Sequence, residues 1–398
     1  MTLAATPAAP DTPSADRSTI IYFCIGTFFY FASMYLYVPV LSVYAKSMGA
    51  SLTIVGLVVS AYGFTQLVTR VPIGFFSDVM GRRKPFVIAG ILAAALGCLG
   101  LAWSPAPLGL VASRAVIGFG GATWVAFTVL FASYFPTRRV PQAMSLIIFV
   151  SGGAQAAAGL AGGFLSQAFG TSSTFYGGAV LAVLGLLTML PLREKVQVRP
   201  TPMSTHRLGR IARTPSLLIA AAIATVNVLV YFATTLSFTP IYARGLGASD
   251  SALGLLFTVA VVFATLANLI SATVAARIGD RAVIVIGMGL AGIATAFVPF
   301  TGGLLTLALT QVVAGFGRGL CDPTLLAQSM RSVPAHERAT ATGVYQAIYA
   351  VGMFGGPFFG GVVADAFGLN SVFVLTAVLC GMSAVLGLAV GRSEETRT

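Results

Sequence analysis

The chain has 398 residues, of which 57% are hydrophobic and only 9% charged, whereas an ordinary soluble domain carries roughly a quarter charged residues. That excludes a water-soluble fold; at about 20 residues per bilayer crossing, twelve crossings take about 240 residues and leave short connections. The net charge of +12 does not point to nucleic acid, because the basic residues sit in the gaps between apolar runs instead of clustering on one polar face.

In chain order, residues 1–17 are rich in Ala, Pro, Thr and Ser and lack the basic start and cleavage pattern of a secretory signal; they read as a disordered cytoplasmic tail. Apolar runs predict membrane-spanning helices at 19–44, 53–76, 86–104, 107–134, 141–168 and 173–192, and again at 216–242, 251–276, 282–300, 303–329, 340–366 and 371–391. A basic cytoplasmic linker at 193–215 divides an N-terminal bundle of six helices over 18–192 from a C-terminal bundle of six over 216–391, and 392–398 form a second cytoplasmic tail. An internal repeat supports this division. YAKSMGAS at 44–51 returns as YARGLGAS at 242–249, an offset of 198 that also carries Gly56-Leu57 onto Gly254-Leu255 and Ala168-Phe169-Gly170 onto Ala366-Phe367-Gly368. Gly118-Phe119-Gly120 matches Gly315-Phe316-Gly317 at an offset of 197. The expected fold is an all-α integral membrane protein with twelve transmembrane helices in two pseudo-symmetric six-helix bundles, the solute site lying between them. Positively charged loops stay in the cytoplasm. With both termini inside, 18 of the 23 Lys and Arg residues fall on the cytoplasmic side and only Lys46 and Arg244 on the other, the pattern of a multi-pass protein of the cytoplasmic (inner) membrane.

Cys24, Cys98, Cys321 and Cys380 lie inside apolar segments at unrelated spacings and read as buried free thiols, so no metal and no cofactor is expected. His206 and His336 both fall in cytoplasmic connections, which leaves no histidine relay in the membrane.

The connection after the second helix reads Gly74-Phe-Phe-Ser-Asp78-Val-Met-Gly81-Arg82-Arg83-Lys84. Gly74 permits close helix approach, and Asp78, one turn on, can sit against the positive N-terminal end of a neighbouring helix. Gly-x-x-x-Asp-x-x-Gly-Arg-Arg in this loop resembles the signature of the major facilitator superfamily of secondary transporters. The resemblance implies that family's twelve-span fold, alternating access, and a contact of this loop with the eleventh helix that latches the cytoplasmic side shut. Arg138 and Arg139 offer a further partner from the fourth helix. For Arg82, Arg83 and Lys84 the competing reading is that they are orientation charges. The second-half counterpart, Arg277-Ile-Gly-Asp-Arg281, keeps charges but not the pattern, so an asymmetric latch is expected.

An ionisable residue inside a span is costly and a functional candidate. Arg114-x-x-x-Gly118-x-Gly120 resembles a second motif of the family, which implies a part in proton coupling; the alternative is an Arg snorkelling to the interface. Arg318 and Asp322 share one face of the tenth helix four residues apart, with Pro323 next. Asp322 is the one carboxylate expected deep in the hydrocarbon and the leading proton carrier, in competition with a purely structural ion pair. Gly352 to Gly361 of the eleventh helix resembles a Gly-Pro element that antiporters of the family carry in the fifth; here the fifth has Ala158 to Gly163 without Pro, and small residues for tight packing explain both. Tyr30, Tyr35, Tyr37, Gln66, Trp124, Gln155, Asn227, Tyr231, Asn268, Gln346 and Tyr349 are candidates to line a large, aromatic, weakly charged cavity.

An intramembrane enzyme is disfavoured because no G-x-S-x-G occurs and no His lies in a span. A primary pump lacks a phosphate-binding loop, since none of Lys46, Lys84 and Lys195 follows a glycine. A channel fits duplicated halves less well than alternating access does, and a receptor or scaffold role on the same fold stays open. The resemblance to the short twelve-span members and the aromatic lining give the expected function: a transporter, not an enzyme, that exports a small amphiphilic or drug-like solute in exchange for protons. The alternative is proton-coupled uptake or export of a small anionic metabolite, because Arg114, Arg318 and Arg70 outnumber the buried acid. The expected partners are the solute, protons and the lipid bilayer, with no nucleic acid, and the expected state is a monomer.

Overall fold

The computed structural model describes residues 16–194, 210, 213–334 and 337–388. The expectations for residues 1–15, for most of the linker including His206, for His336 and for the 392–398 tail lie outside the described residues. Within them are twelve helices long and apolar enough to cross a membrane: Arg17–Ser47, Leu52–Met80, Lys84–Ala102, Pro107–Ala132, Val140–Phe169, Thr171–Met189, Pro215–Gly245, Asp250–Ile278, Asp280–Phe300, Leu304–Met330, Ala341–Phe367 and Leu369–Gly387. They are numbered here as spans one to twelve.

The sequence repeat is a repeat of punctuation. Each YA-x-x-x-GAS motif carries a glycine in the left-handed region, Gly49 and Gly247 with φ 84°, where a Cβ would be strained. The serine two residues on caps the next helix: Ser51 Oγ accepts from Ile54 N and Ser249 Oγ from Ala252 N, both at 3.2 Å. Gly81 and Gly279 end spans two and eight, and Gly170 and Gly368 end spans five and eleven, again 198 residues apart and again with positive φ. The chain therefore turns at matching places in both halves, and each half folds as a bundle of six.

Spans one and seven, the first of each bundle, are not simple helices. Span one breaks at Leu36 and Tyr37 before Pro39. Span seven widens to a π-helical turn over Phe232–Phe238, where Ser237 Oγ returns to the carbonyl of Phe232 at 2.7 Å. The widened turn presents the Leu236 carbonyl sideways, and Ser42 Oγ of span one donates to it at 3.0 Å. Such turns recur at functional sites, and this one joins the two bundles.

The bundles meet along spans two and eleven and along spans five and eight, on the face opposite the chain ends. At Gly56 an added methyl would collide with the carbonyl of Pro357, and at Gly254 of span eight with the carbonyl of Gly159 of span five; only glycine allows these approaches. The glycine run of span eleven packs on both neighbours, with Gly352 and Gly356 against the span-seven backbone at Thr225 and Leu229, and Gly361 against Leu52 and Thr53 of span two. On this distal face Asp365 of span eleven accepts from Leu52 N at 2.9 Å, Thr53 N at 2.8 Å and Thr53 Oγ1 at 2.6 Å, capping span two across the divide. The other seam has its counterpart: Gln167 of span five accepts from Asp250 N at 3.0 Å, and Asp250 pairs with Arg244.

Toward the opposite face, where span one begins at Arg17 and span twelve ends at Gly387, the described hydrogen bonds, ring contacts and glycine approaches between the bundles thin out. On the first seam the last are Phe64 against Phe354, at 5.5 Å between rings, and Arg70 with Gln346 and Tyr349. On the second seam the last is Gly152 against Thr265, and an added methyl at Gly153 meets open space. Among the described residues the hydrogen bonds, ring contacts and glycine approaches join the bundles on the distal face and none lies beyond Arg70 and Gly152 toward the other.

Candidate functional site

The motif loop is built around its own bundle. Gly81, with φ 62°, ends span two by donating its N–H to the Asp78 carbonyl at 3.1 Å. The chain reverses, and Arg83 folds back to pair with the Asp78 carboxylate and to donate to the Ser77 hydroxyl. Glu194, just past span six, accepts from the backbone N–H of Arg83 and, at 3.0 Å, of Lys84. Those are the unpaired donors at the start of span three, while Lys84 Nζ donates to the Leu190 carbonyl at 2.6 Å. Arg82 is exposed. The Asp78 side chain is 48% exposed; its ion pair is with Arg83, not with Arg338, Arg138 or Arg139. A methyl on Gly74 would meet nothing. In this conformation the loop is fastened to span six and stands clear of span eleven. In the second half Asp280 pairs instead with Arg331 at 2.7 Å. Glu194 was missed in the sequence because a lone acid opening a basic stretch looks like any loop charge.

Three arginines and one aspartate occupy the middle of the molecule. Arg114 of span four is 4% exposed, donates from Nη1 to Tyr37 Oη at 2.8 Å, and lies 4.7 Å from the centre of the Tyr62 ring. It is enclosed by spans one and two and does not snorkel to a surface. Arg70 of span two is 7% exposed and donates to Gln66 one turn back. Across the divide it also donates to Gln346 Oε1 at 3.4 Å and Tyr349 Oη at 3.1 Å.

In the second bundle Asp322 Oδ1 accepts from Asn227 Nδ2 of span seven at 2.6 Å, and its Oδ2 stands 3.7 Å from Arg318 Nη1. Pro323 follows and cannot donate to the carbonyl four residues back, so the helix is weakened where the carboxylate sits. Arg318 also lies over the Tyr231 ring at 3.8 Å. The Asp322 side chain is 45% exposed although it sits deep in its span, on the helix face turned to Asn227 of span seven.

The other cavity candidates divide. Tyr35 stacks on Phe257 of the opposite bundle at 6.2 Å and Trp124 meets Phe31 edge-on at 4.9 Å; Tyr62, not among the candidates from the sequence, stacks on Phe232 across the divide at 6.3 Å. Gln66, Asn227, Gln346 and Tyr349 hold the charged groups just described. Asn268 of span eight has a buried Oδ1 without a partner, and Gln155 of span five is half-buried. Tyr30 is placed elsewhere: it is fully buried and stacks on Phe127 at 4.6 Å in the aromatic core of the first bundle, beside Phe23 and Phe131. A sequence cannot separate such a tyrosine from a cavity tyrosine, since both occupy one apolar helix. Arg70 gains most from the structure; its weight comes from neighbours 276 and 279 residues away.

The chain resembles known membrane proteins throughout its length. It is 24% identical over 387 residues to the multi-drug resistance efflux pump PmrA of Streptococcus pneumoniae, covering 94% of this chain and 95% of that one. It is 21% identical over 369 residues to an uncharacterized MFS-type transporter, MJ1560, of Methanocaldococcus jannaschii, covering 88% and 91%. Over 202 residues it is 31% identical to the inner membrane transport protein YajR of Escherichia coli, covering 50% of this chain and 42% of that one. Among solved structures, a mutant of the nucleoside transporter NupG superposes with a TM-score of 0.80 at 15% identity, over 94% of this chain and 100% of that one. A bacterial homologue of the lysosomal transporter Spinster, inward-facing and unoccupied, gives 0.78 at 15% identity over 95% and 98%. The family model of the Major Facilitator Superfamily matches residues 23–245 and again 221–398. Twelve spans in two like bundles, a charged centre between them and this double match together place the chain in the Major Facilitator Superfamily of membrane transporters.

Proposed function

We propose that the protein exports a small amphiphilic organic solute in exchange for protons, from a multi-pass position in the cytoplasmic membrane with both chain ends inside. The observation that carries the reading is the division of Arg318 between two partners, the Tyr231 ring at 3.8 Å and the Asp322 carboxylate at 3.7 Å. An aromatic solute that takes the face of Tyr231 pushes the guanidinium onto Asp322. A closer cation favours the charged carboxylate and expels its proton, so solute and proton exclude one another, as antiport requires. The relatives named as multidrug efflux pumps support export, and the Lys and Arg bias toward the face of the chain ends supports the orientation. On that orientation the described conformation opens inward, with Gly74 free to dock on span eleven and Asp78 able to join it by leaving Arg83 when the cytoplasmic side closes.

The test is solute-driven proton movement in proteoliposomes holding a pH dye, over a panel of aromatic amphiphiles. A compound that moves protons with the native chain is expected to bind Asp322→Asn and yet move none. Unchanged transport by Asp322→Asn would make the carboxylate structural and remove the coupling scheme.

A further inference from the structure

Arg70 has no task in the Asp322 scheme. A guanidinium stays protonated in a protein and presents five donors, and those of Arg70 meet only the neutral oxygens of Gln66, Gln346 and Tyr349. Its Nε is buried without an acceptor. Arg114 is in the same condition: it donates to the Tyr37 phenol, and its Nε is buried without an acceptor. No carboxylate among the described residues lies within ion-pair distance of either, and Asp322 is engaged by Asn227 and Arg318. The centre therefore holds three guanidiniums and one carboxylate, although buried charges are ordinarily paired. The position 198 residues after Arg70, where the repeat places its counterpart, is the uncharged Asn268, so this charge belongs to one seam only.

We propose that Arg70, together with Gln346 and Tyr349, is the docking point for an anionic group, a carboxylate or an anion of similar geometry, on the transported amphiphile. An incoming carboxylate exchanges with the amide oxygen of Gln66 or Gln346. The guanidinium thereby gains a charged, bidentate partner in place of a neutral one. Arg70 belongs to the first bundle and Gln346 and Tyr349 to the second, at the last contact before the seam parts. An anion seated there touches both bundles and senses their closing. The inference rests on the proposed transport of an amphiphile and adds the charge of its polar end.

The experiment measures binding to the purified full chain of 2-naphthoate, naphthalene-2-sulfonate, methyl 2-naphthoate and 2-naphthylmethylamine, by thermal shift and tryptophan quenching. The two anions are expected to bind about tenfold more tightly than the ester, the worth of a charge-assisted hydrogen bond. Arg70→Gln is expected to erase that preference and Arg70→Lys, which keeps the charge but not the fork, to reduce it; if Arg70→Gln does not fold, Arg70→Lys carries the test. Failure of both anions to bind, a preference for the ester or amine, or an anion preference that persists in the variants overturns the proposal. Anionic lipid headgroups share this chemistry, so phosphatidylglycerol in the micelles is a separate arm; stabilisation by it alone assigns the site to lipid and overturns the solute reading. Asp322→Asn separates the two ideas. If it keeps the anion preference and its proton movement is unchanged, the coupling scheme fails while the anion site stands.

Discussion

Arg318 is held between two attractions of similar size. A guanidinium over a tyrosine ring is worth about 0.5–2 kcal/mol depending on its hydration, and an ion pair with a carboxylate as exposed as Asp322 is worth about 0–1 kcal/mol. Neither dominates, so in the proposed scheme a modest push from a bound solute decides which partner the guanidinium takes. Tyr231→Leu removes one side of the balance and leaves Arg318 on Asp322. Proton-driven transport in proteoliposomes is expected to fall about tenfold with the protein folded; transport at the native level would show that the ring plays no part. At Arg114 the Tyr37 hydrogen bond is to a charged, buried donor. Tyr37→Phe is expected to destabilise the protein by about 2 kcal/mol, read as a lowered midpoint of thermal unfolding in detergent.

Between elements, the distal seal is made of helix ends and glycines. Asp365 satisfies two backbone donors at the start of span two that have no partner inside that helix. A carboxylate there also complements the positive helix end. Asp365→Asn weakens a cap worth about 1 kcal/mol and does so only in the distally closed form. The distally open population is expected to rise about fivefold, measured as faster labelling of a cysteine introduced at Val43, and an unchanged rate would show that the cap does not bias the equilibrium. Gly56→Leu acts more strongly, because its side chain would enter the Pro357 carbonyl. It is expected to lock the distal face open and abolish turnover while solute still binds.

At the scale of the whole molecule the two faces have opposite fastenings. The distal face is closed by contacts between bundles, while the motif loop on the other face is tied within its own bundle by Arg83, Ser77 and Glu194. In the proposed closing step, Asp78 trades its partner Arg83 for span eleven. Asp78→Asn is therefore expected to leave solute binding intact and to slow transport, with the inward-open population raised in spin-label distance measurements across the terminal face. An even number of spans puts both chain ends on one side. A reporter fused at the C-terminus is expected to be active only as a cytoplasmic enzyme, and activity as a periplasmic one would invert the export reading.

The sequence alone determined the twelve spans and the duplicated halves, because hydropathy and the Gly and Ser of the repeated turns act locally. A helix in lipid must satisfy its own backbone, so length and apolarity suffice to define it. The motif loop and the charged residues Arg114, Arg318 and Asp322 were equally legible, since a charge inside an apolar run stands out whatever surrounds it. Partners were not. That Tyr30 packs in a core while Tyr231 lies under a guanidinium, that Glu194 caps span three, and that Arg70 reaches Gln346 and Tyr349 are decided only when bundles dock, because apolar side chains face core, cavity and lipid under the same local rules. Tertiary structure alone also decided which face is sealed, since the glycines of both seams permit close approach anywhere along the helices and only the docked backbones show where it occurs.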